Sequence, residues 1–223
     1  KAAYLAERKN PHSGRFTYSW FKHIDYDNAP MQRLFATLAK QQTRIDLTLV
    51  ANELIYFARE LETLYPEPDM WVFHPQMRKG WRTALAAPSY DWTATEVASA
   101  KQQMPKVQQL FKRLYDAGVP LAIGTDSVAS GPFYLRELML SQGAGLTNWQ
   151  VLKLATVGGA RHLDLPDTGQ LAAGFVADFI VLPSNPVSDL KALSAVHTVV
   201  QQGKAWRVDA LRADLADLSI IEL

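Results

Sequence analysis

The spacing of apolar positions changes near residue 165. Before it, apolar residues recur mostly at helical spacing. Met31, Leu34, Phe35 and Leu38 form one stripe, which predicts an amphipathic helix from about Pro30 to Gln42. Pro30 suits a first-turn position, and Asn28 or Asp27 is placed to cap it. Arg44 to Val50 alternates only in part and reads as a strand. A long helix is predicted from about Thr95 to Ala117, with Met104, Val107, Leu110, Phe111 and Leu114 on its apolar face. Pro105 predicts a kink or restart within it, and Gly118 closes it. The apolar run Val119 to Ile123 then reads as a strand buried on both faces, the habit of parallel sheets. Helix, short turn and buried strand make an αβ unit of a parallel architecture.

A loop of small residues, Ser127 to Gly131, precedes a helix over Pro132–Gln142. Thr147 and Gln150 form a capping box for the next helix, which turns Val151, Leu152, Leu154 and Ala155 inward. Thr156 to Leu163 continues or restarts it, with Gly158 and Gly159 permitting close backbone packing and His162 on its outer side. From Leu165 onward Gly169–Leu171, Ala177–Leu182, Val196–Val200 and Ala205–Arg207 read as short strands of a small β unit. Val208 to Leu223 returns to helical spacing through Leu211, Leu215 and Leu218.

Residues 51–95 fit these patterns least. A helix-compatible stretch, Asn52 to Leu64, gives way to prolines and charges carrying Trp71, Phe73, Trp81, Tyr90 and Trp92. Two readings stay open: an excursion whose aromatics pack on the body of the fold, or a wall over an active site.

Composition narrows the partners more than the fold. Apolar residues make up 48% and charged residues 20% of the 223, an ordinary globular balance. The net charge of +1, spread along the chain, gives no footprint for nucleic acid or an anionic membrane. The absence of cysteine excludes disulfides and thiolate metal sites, and leaves the compartment, cytoplasmic or periplasmic, unassigned. No apolar run approaches the roughly 18 residues of a membrane span. Lys1 to Lys9 holds no apolar core of signal-peptide length and no initiator Met, so a processed, truncated or partial polypeptide is expected.

The candidate chemistry sits where the buried strand ends, at Gly124-Thr125-Asp126. A carboxylate there lies on the C-terminal rim of the sheet, where α/β proteins keep their sites. The alternative is a turn residue or the cap of the following helix. His23, flanked by charges, reads as solvated, and His74 before Pro75 as loop structure. A serine hydrolase built on Ser127 is disfavoured, since no Gly-x-Ser-x-Gly elbow is present.

Several landmarks, in this order and spacing, resemble the metal-dependent amidohydrolases, nearest the imidazolonepropionase- and prolidase-like branch. Asp46 to Val50 resembles their Pro-Thr-Leu strand, and Gly118 to Asp126 their last barrel strand. Leu135-Arg136-Glu137-Leu138, Gly145-Leu146-Thr147, and Leu154 through Leu163 resemble the helices that follow. Thr168 to Leu182 with Asn185-Pro186, then Val199 to Lys204, resemble the returning β-sandwich strands and closing hairpin. The resemblance implies an α/β fold: the C-terminal part of a TIM-like (β/α)8 barrel plus strands of a small β-sandwich. The implied division is residues 1–164 for the barrel part, with the excursion at 51–95, then 165–207 for the sandwich portion and 208–223 for a C-terminal helix.

It further implies hydrolysis of carbon–nitrogen bonds in small amide or dipeptide-like substrates by metal-activated water. Asp126 would be a metal ligand and the proton shuttle, with Ser127 and Ser130 as substrate-binding candidates. One or two divalent ions, zinc by donor type, would serve the complete enzyme. The departures are informative. The five histidines, at 12, 23, 74, 162 and 197, include no His-x-His pair. Asp46 stands where Pro is usual, Leu135 where His is frequent, and Gly158 where many members have Asn. One carboxylate cannot hold a catalytic metal. The chain alone is therefore expected neither to bind metal tightly nor to turn over substrate, and to associate with a missing N-terminal half or another copy. The competing reading is a non-catalytic binding or assembly module of the same fold.

Overall fold

The computed structural model describes residues 14–65, 73–86, 91–127 and 131–218, with Leu5 and Lys9 besides. After short helical turns at Phe16–Ser19 and Phe21–His23, helix α1 spans Ala29–Lys40. The Asn28 side chain caps it, accepting the Met31 N–H at 3.0 Å. Phe35 enters the core but Leu34 stays exposed, so the buried stripe is narrower than its sequence pattern. Strand β1 covers Ile45–Leu47, and α2 starts at Leu49 and runs to Tyr56. The strand predicted to reach Val50 therefore stops early. The Leu49 and Val50 amides are taken by a buried carboxylate from elsewhere in the chain, which turns them into a helix start. A broken helical stretch continues through Leu61–Leu64, and α3 spans Pro75–Ala86.

Helix α4 covers Ala94–Asp116 as one helix through Pro105, so the helix does not restart there. A capping box of Thr93 and Glu96 opens it. An interior proline costs about 3 kcal/mol. Met104 and Val107, both buried beside it, each stabilise by roughly 1.5–3 kcal/mol, so packing wins. Gly118 ends the helix at φ +77°, and Val119 N–H reaches back to the Leu114 carbonyl at 3.1 Å. Strand β2, Leu121–Ile123, is buried throughout and pairs in parallel with β1, Asp46 opposite Ala122. Helix α5 spans Pro132–Gly143, and α6 spans Asn148–Lys153 behind the expected capping box. The chain then passes through a π-helical turn, Leu154–Gly158, into Gly159–His162, so this segment continues rather than restarts. The core lies among β1, β2, α2, α4 and α5, around Val50, Tyr56, Phe111 and Phe133.

The β unit is a three-stranded antiparallel sheet of β3 (Phe179–Val181), β4 (Thr198–Gln201) and β5 (Lys204–Arg207). The expected strand at Gly169–Leu171 does not form. Gly169 turns at φ +84°, and a Cβ there would lie 2.9 Å from both the Ala160 Cβ and the Thr156 carbonyl oxygen. Helix α7 follows as Val208–Leu218, and the predicted remainder to Leu223 lies outside the described residues. In the aromatic excursion, Trp92 packs edge-on to Tyr18 at 4.9 Å between centroids, and Phe73 lies 6.4 Å from Phe133. Those two pack on the body. Trp71, Tyr90 and the Trp81 side chain lie outside the described residues.

Candidate functional site

The parallel ladder runs one bond past β2, with the Gly124 N–H donating to the Leu47 carbonyl at 2.9 Å. Beyond it Thr125 and Asp126 leave the sheet at its C-terminal end. Asp126 sits at φ +45° with an exposed side chain, a left-handed conformation that Asp tolerates better than most residues. The Ser127 hydroxyl donates to Thr125 Oγ1 at 3.1 Å, so it is tied to the same rim. Ser130 lies outside the described residues. Across the pair, Thr48 and Asp46 face Gly124: a Cβ on that glycine would lie 3.5 Å from Thr48 Cγ2 and 3.7 Å from Asp46 Cγ. Asp46 of β1 and Thr48, just past its end, thus share the face on which Gly124 opens.

His162 is not an outer helix residue. Its Nε2 lies 3.8 Å from Asp46 Oδ1, and its side chain is 17% exposed. The helix end is drawn in by Arg44, which donates to the His162 carbonyl at 2.9 Å and to both Asp164 oxygens at 2.7 and 2.5 Å. The other described histidines serve elsewhere. His23 is exposed in a 3-10 turn, the His74 Nδ1 accepts the Gln76 N–H at the start of α3, and the His197 ring contacts the Thr198 hydroxyl. Among the described residues no three His, Asp or Glu side chains converge as a metal-binding group. Asp126 with the hydroxyls of Thr125 and Ser127 does not make a site that fits a divalent ion by itself.

A buried polar network stands behind this rim; Arg136 and Glu137 lie in the Leu135–Leu138 stretch that carries part of the family resemblance, but that stretch gives them no role or partner. Glu137, on α5, has no solvent exposure. Its Oε1 accepts the Leu49 N–H at 2.9 Å and its Oε2 accepts the Val50 N–H at 2.6 Å. Beside it Arg136 grips Glu53 with two bonds of 2.8 and 2.5 Å, and the Tyr65 hydroxyl donates to Glu53 at 3.1 Å. Burial pushes the Glu137 carboxyl up to about 8, against the two amide bonds that pull it down, and the neighbouring Glu53 adds to the rise. The bond to Glu53 raises the Arg136 guanidinium, and burial raises the Tyr65 hydroxyl. Besides that resemblance, the physical signal was a Glu set among apolar residues of a buried helix, Phe133 to Leu140, where an unpaired charge is not tolerated. An apolar cleft of about 570 Å³ lies between α5 and the β unit, lined by Leu64, Leu135, Met139, Val199 and Leu211; it does not include Asp126.

Two parallel βα units with a carboxylate left at a strand end, followed by a small antiparallel sheet, define an α/β protein that presents its chemistry on the C-terminal rim of its strands. The chain belongs to the amidohydrolase family, whose profile matches residues 42–206. It is 35% identical over 119 residues to an ochratoxinase of Aspergillus niger, covering 48% of this chain and 25% of that protein. It is 39% identical over 99 residues to an imidazolonepropionase of Deinococcus deserti, covering 41% of this chain and 25% of that protein. Among solved structures, a Xaa-Pro dipeptidase superposes with a TM-score of 0.55 at 20% identity, over 81% of this chain and 37% of that one. That likeness places the fold among the amidohydrolases, which are of TIM-barrel type. The matched segment thus spans about a quarter of the length of these curated relatives.

Proposed function

We propose that this chain is the C-terminal portion of a metal-dependent amidohydrolase that cleaves a carbon–nitrogen bond in a small amide or dipeptide-like substrate. In this reading residues 1–164 are the last part of the barrel, 165–207 contribute to a β-sandwich, and 208–223 form a terminal helix. The family generally binds divalent metals, and Asp126 is assigned as one ligand among others that the described residues do not supply. Its second task is proton transfer. Water must lose a proton as it attacks, and the departing amine is a poor leaving group until it gains one. A carboxylate free of the sheet and exposed at its rim can accept the first proton and deliver it to the nitrogen. Ser127, and Ser130 with it, are assigned to substrate hydrogen bonding.

The observation that carries the reading is the placement of Asp126 at the end of the paired strand, within a chain whose family is established. The test is Asp126→Asn in the protein that contains this chain, assayed on Xaa-Pro dipeptides, N-acyl amino acids and cyclic amides. Loss of the acid–base carboxylate is expected to lower kcat by about 10²–10⁴-fold and to reduce bound metal. Unchanged turnover and metal content would overturn the assignment. The second reading is a non-catalytic binding or assembly module of the same fold. That reading gains if the wild-type protein binds members of the panel without cleaving them.

A further inference from the structure

We propose that Glu137 is a positioning residue for the strand-end site: by holding the first two amides of α2, it fixes the Thr48 end of β1 against the Gly124–Asp126 end of β2. The role rests on the hydrolase reading above. Its geometry rests on contacts alone.

The first four amides of a helix lack partners within it. The residue before α2 is Thr48, a type well suited to cap them, yet its side chain makes no capping bond. Glu137 does this work from another helix, through Oε1 and Oε2 to Leu49 and Val50. Thr48 is thereby relieved of the cap and faces Gly124, on the rim. The next residue back on α5, Arg136, holds Glu53, one turn farther along α2. Two adjacent side chains of α5 thus grip two successive turns of α2. Apolar contacts would let the helices slide; four directional bonds, two of them fully buried, set one register. On the strand side, the bond from Gly124 to the Leu47 carbonyl provides the second tie. The two strand ends are thus tied by α5 through the start of α2 and by the ladder bond, and Asp126 follows Gly124 by two residues.

The experiment compares Glu137→Gln with Asp126→Asn in the full protein. Glutamine keeps the volume but sets an amide NH₂ against one of the two backbone donors. We expect hydrogen exchange at Leu49 and Val50 to rise at least about tenfold, with the circular dichroism spectrum retained. With the most active substrate of the panel, kcat should fall about 10- to 100-fold while KM stays within about twofold, the pattern of a misplaced reacting group. A kcat within about twofold of wild type overturns the proposal, as does a loss that only follows the fraction of folded protein. Full activity in Asp126→Asn overturns the role assigned to Asp126, and the positioning role of Glu137 with it; no turnover of the panel by the wild-type protein overturns the hydrolase reading. Exchange at Leu49 and Val50 still reports the brace, so the two failures are told apart.

Discussion

Gly169 shows how little room a single residue can have. It lies after α6 and turns at φ +84°, with the Ala160 methyl and the Thr156 carbonyl pressed against the place of a side chain. An added Cβ would meet two neighbours at 2.9 Å, one of them backbone that cannot swing aside. Gly169→Ala is therefore expected to destabilise by about 1–3 kcal/mol, through overpacking and a left-handed strain that only glycine escapes. Urea denaturation checks this: the midpoint should fall with the slope unchanged. In sequence this residue stood in a punctuated stretch that looked like a strand, because nothing local shows which neighbour lies above it. Asp126 is the opposite case. Its place at the end of an apolar run was legible, since four apolar residues followed by Gly-Thr-Asp can end a buried strand in few other ways.

At the scale of elements, helices marked by their own caps were read within a residue or two. Asn28, Thr147 and Gly118 act locally, through bonds to their near neighbours, so the local sequence carries them. The misreadings share another cause. Thr48-Leu49-Val50 has the composition of a strand, and only Glu137, 88 residues from Leu49, makes it a helix start. Pro105 should break α4 by local rules, and the core around Met104 and Val107 keeps it whole. That account has a consequence. Pro105→Ala restores a backbone bond while leaving the apolar face intact, so α4 should gain about 1–3 kcal/mol. A thermal midpoint several degrees higher would bear this out; a lower one would mean that the fold is built around a proline-shaped bend.

At the scale of the molecule, a buried and a salt-bridged carboxylate give stability opposite responses to pH. The Glu137 carboxyl is raised to about 8, with Glu53, Arg136 and Tyr65 gathered beside it. Between its unfolded value and about 8, the folded chain keeps a proton that the unfolded chain has released. Stability from this group is full below the unfolded value and falls as pH rises through that window. Glu96 works the other way. The guanidinium of Arg15 and the bonds from Thr93 hold it down at about 2, so its contribution is present above its unfolded value and is lost as pH falls toward 2. Urea midpoints measured between about pH 5 and about pH 8 should decline in the wild type, and the decline should flatten in Glu137→Gln, which has nothing to titrate there. An equal decline in both would assign the effect to another group.

By itself the sequence determined the class of the molecule: amphipathic helices around a buried strand, a change of period into a small sheet, and a carboxylate at the strand's end. It could do so because periodicity, caps and turn residues act over a few positions. Tertiary structure alone decided where that strand finds its partner, why α2 begins at Leu49, and which side of its helix His162 occupies. It also decided that Arg136 and Glu137, two charges on a buried helix, are satisfied across distances of 83 to 88 residues. Those facts depend on contacts between segments far apart in the chain. A buried charge shows in sequence only that a partner must exist, and the folded chain names it.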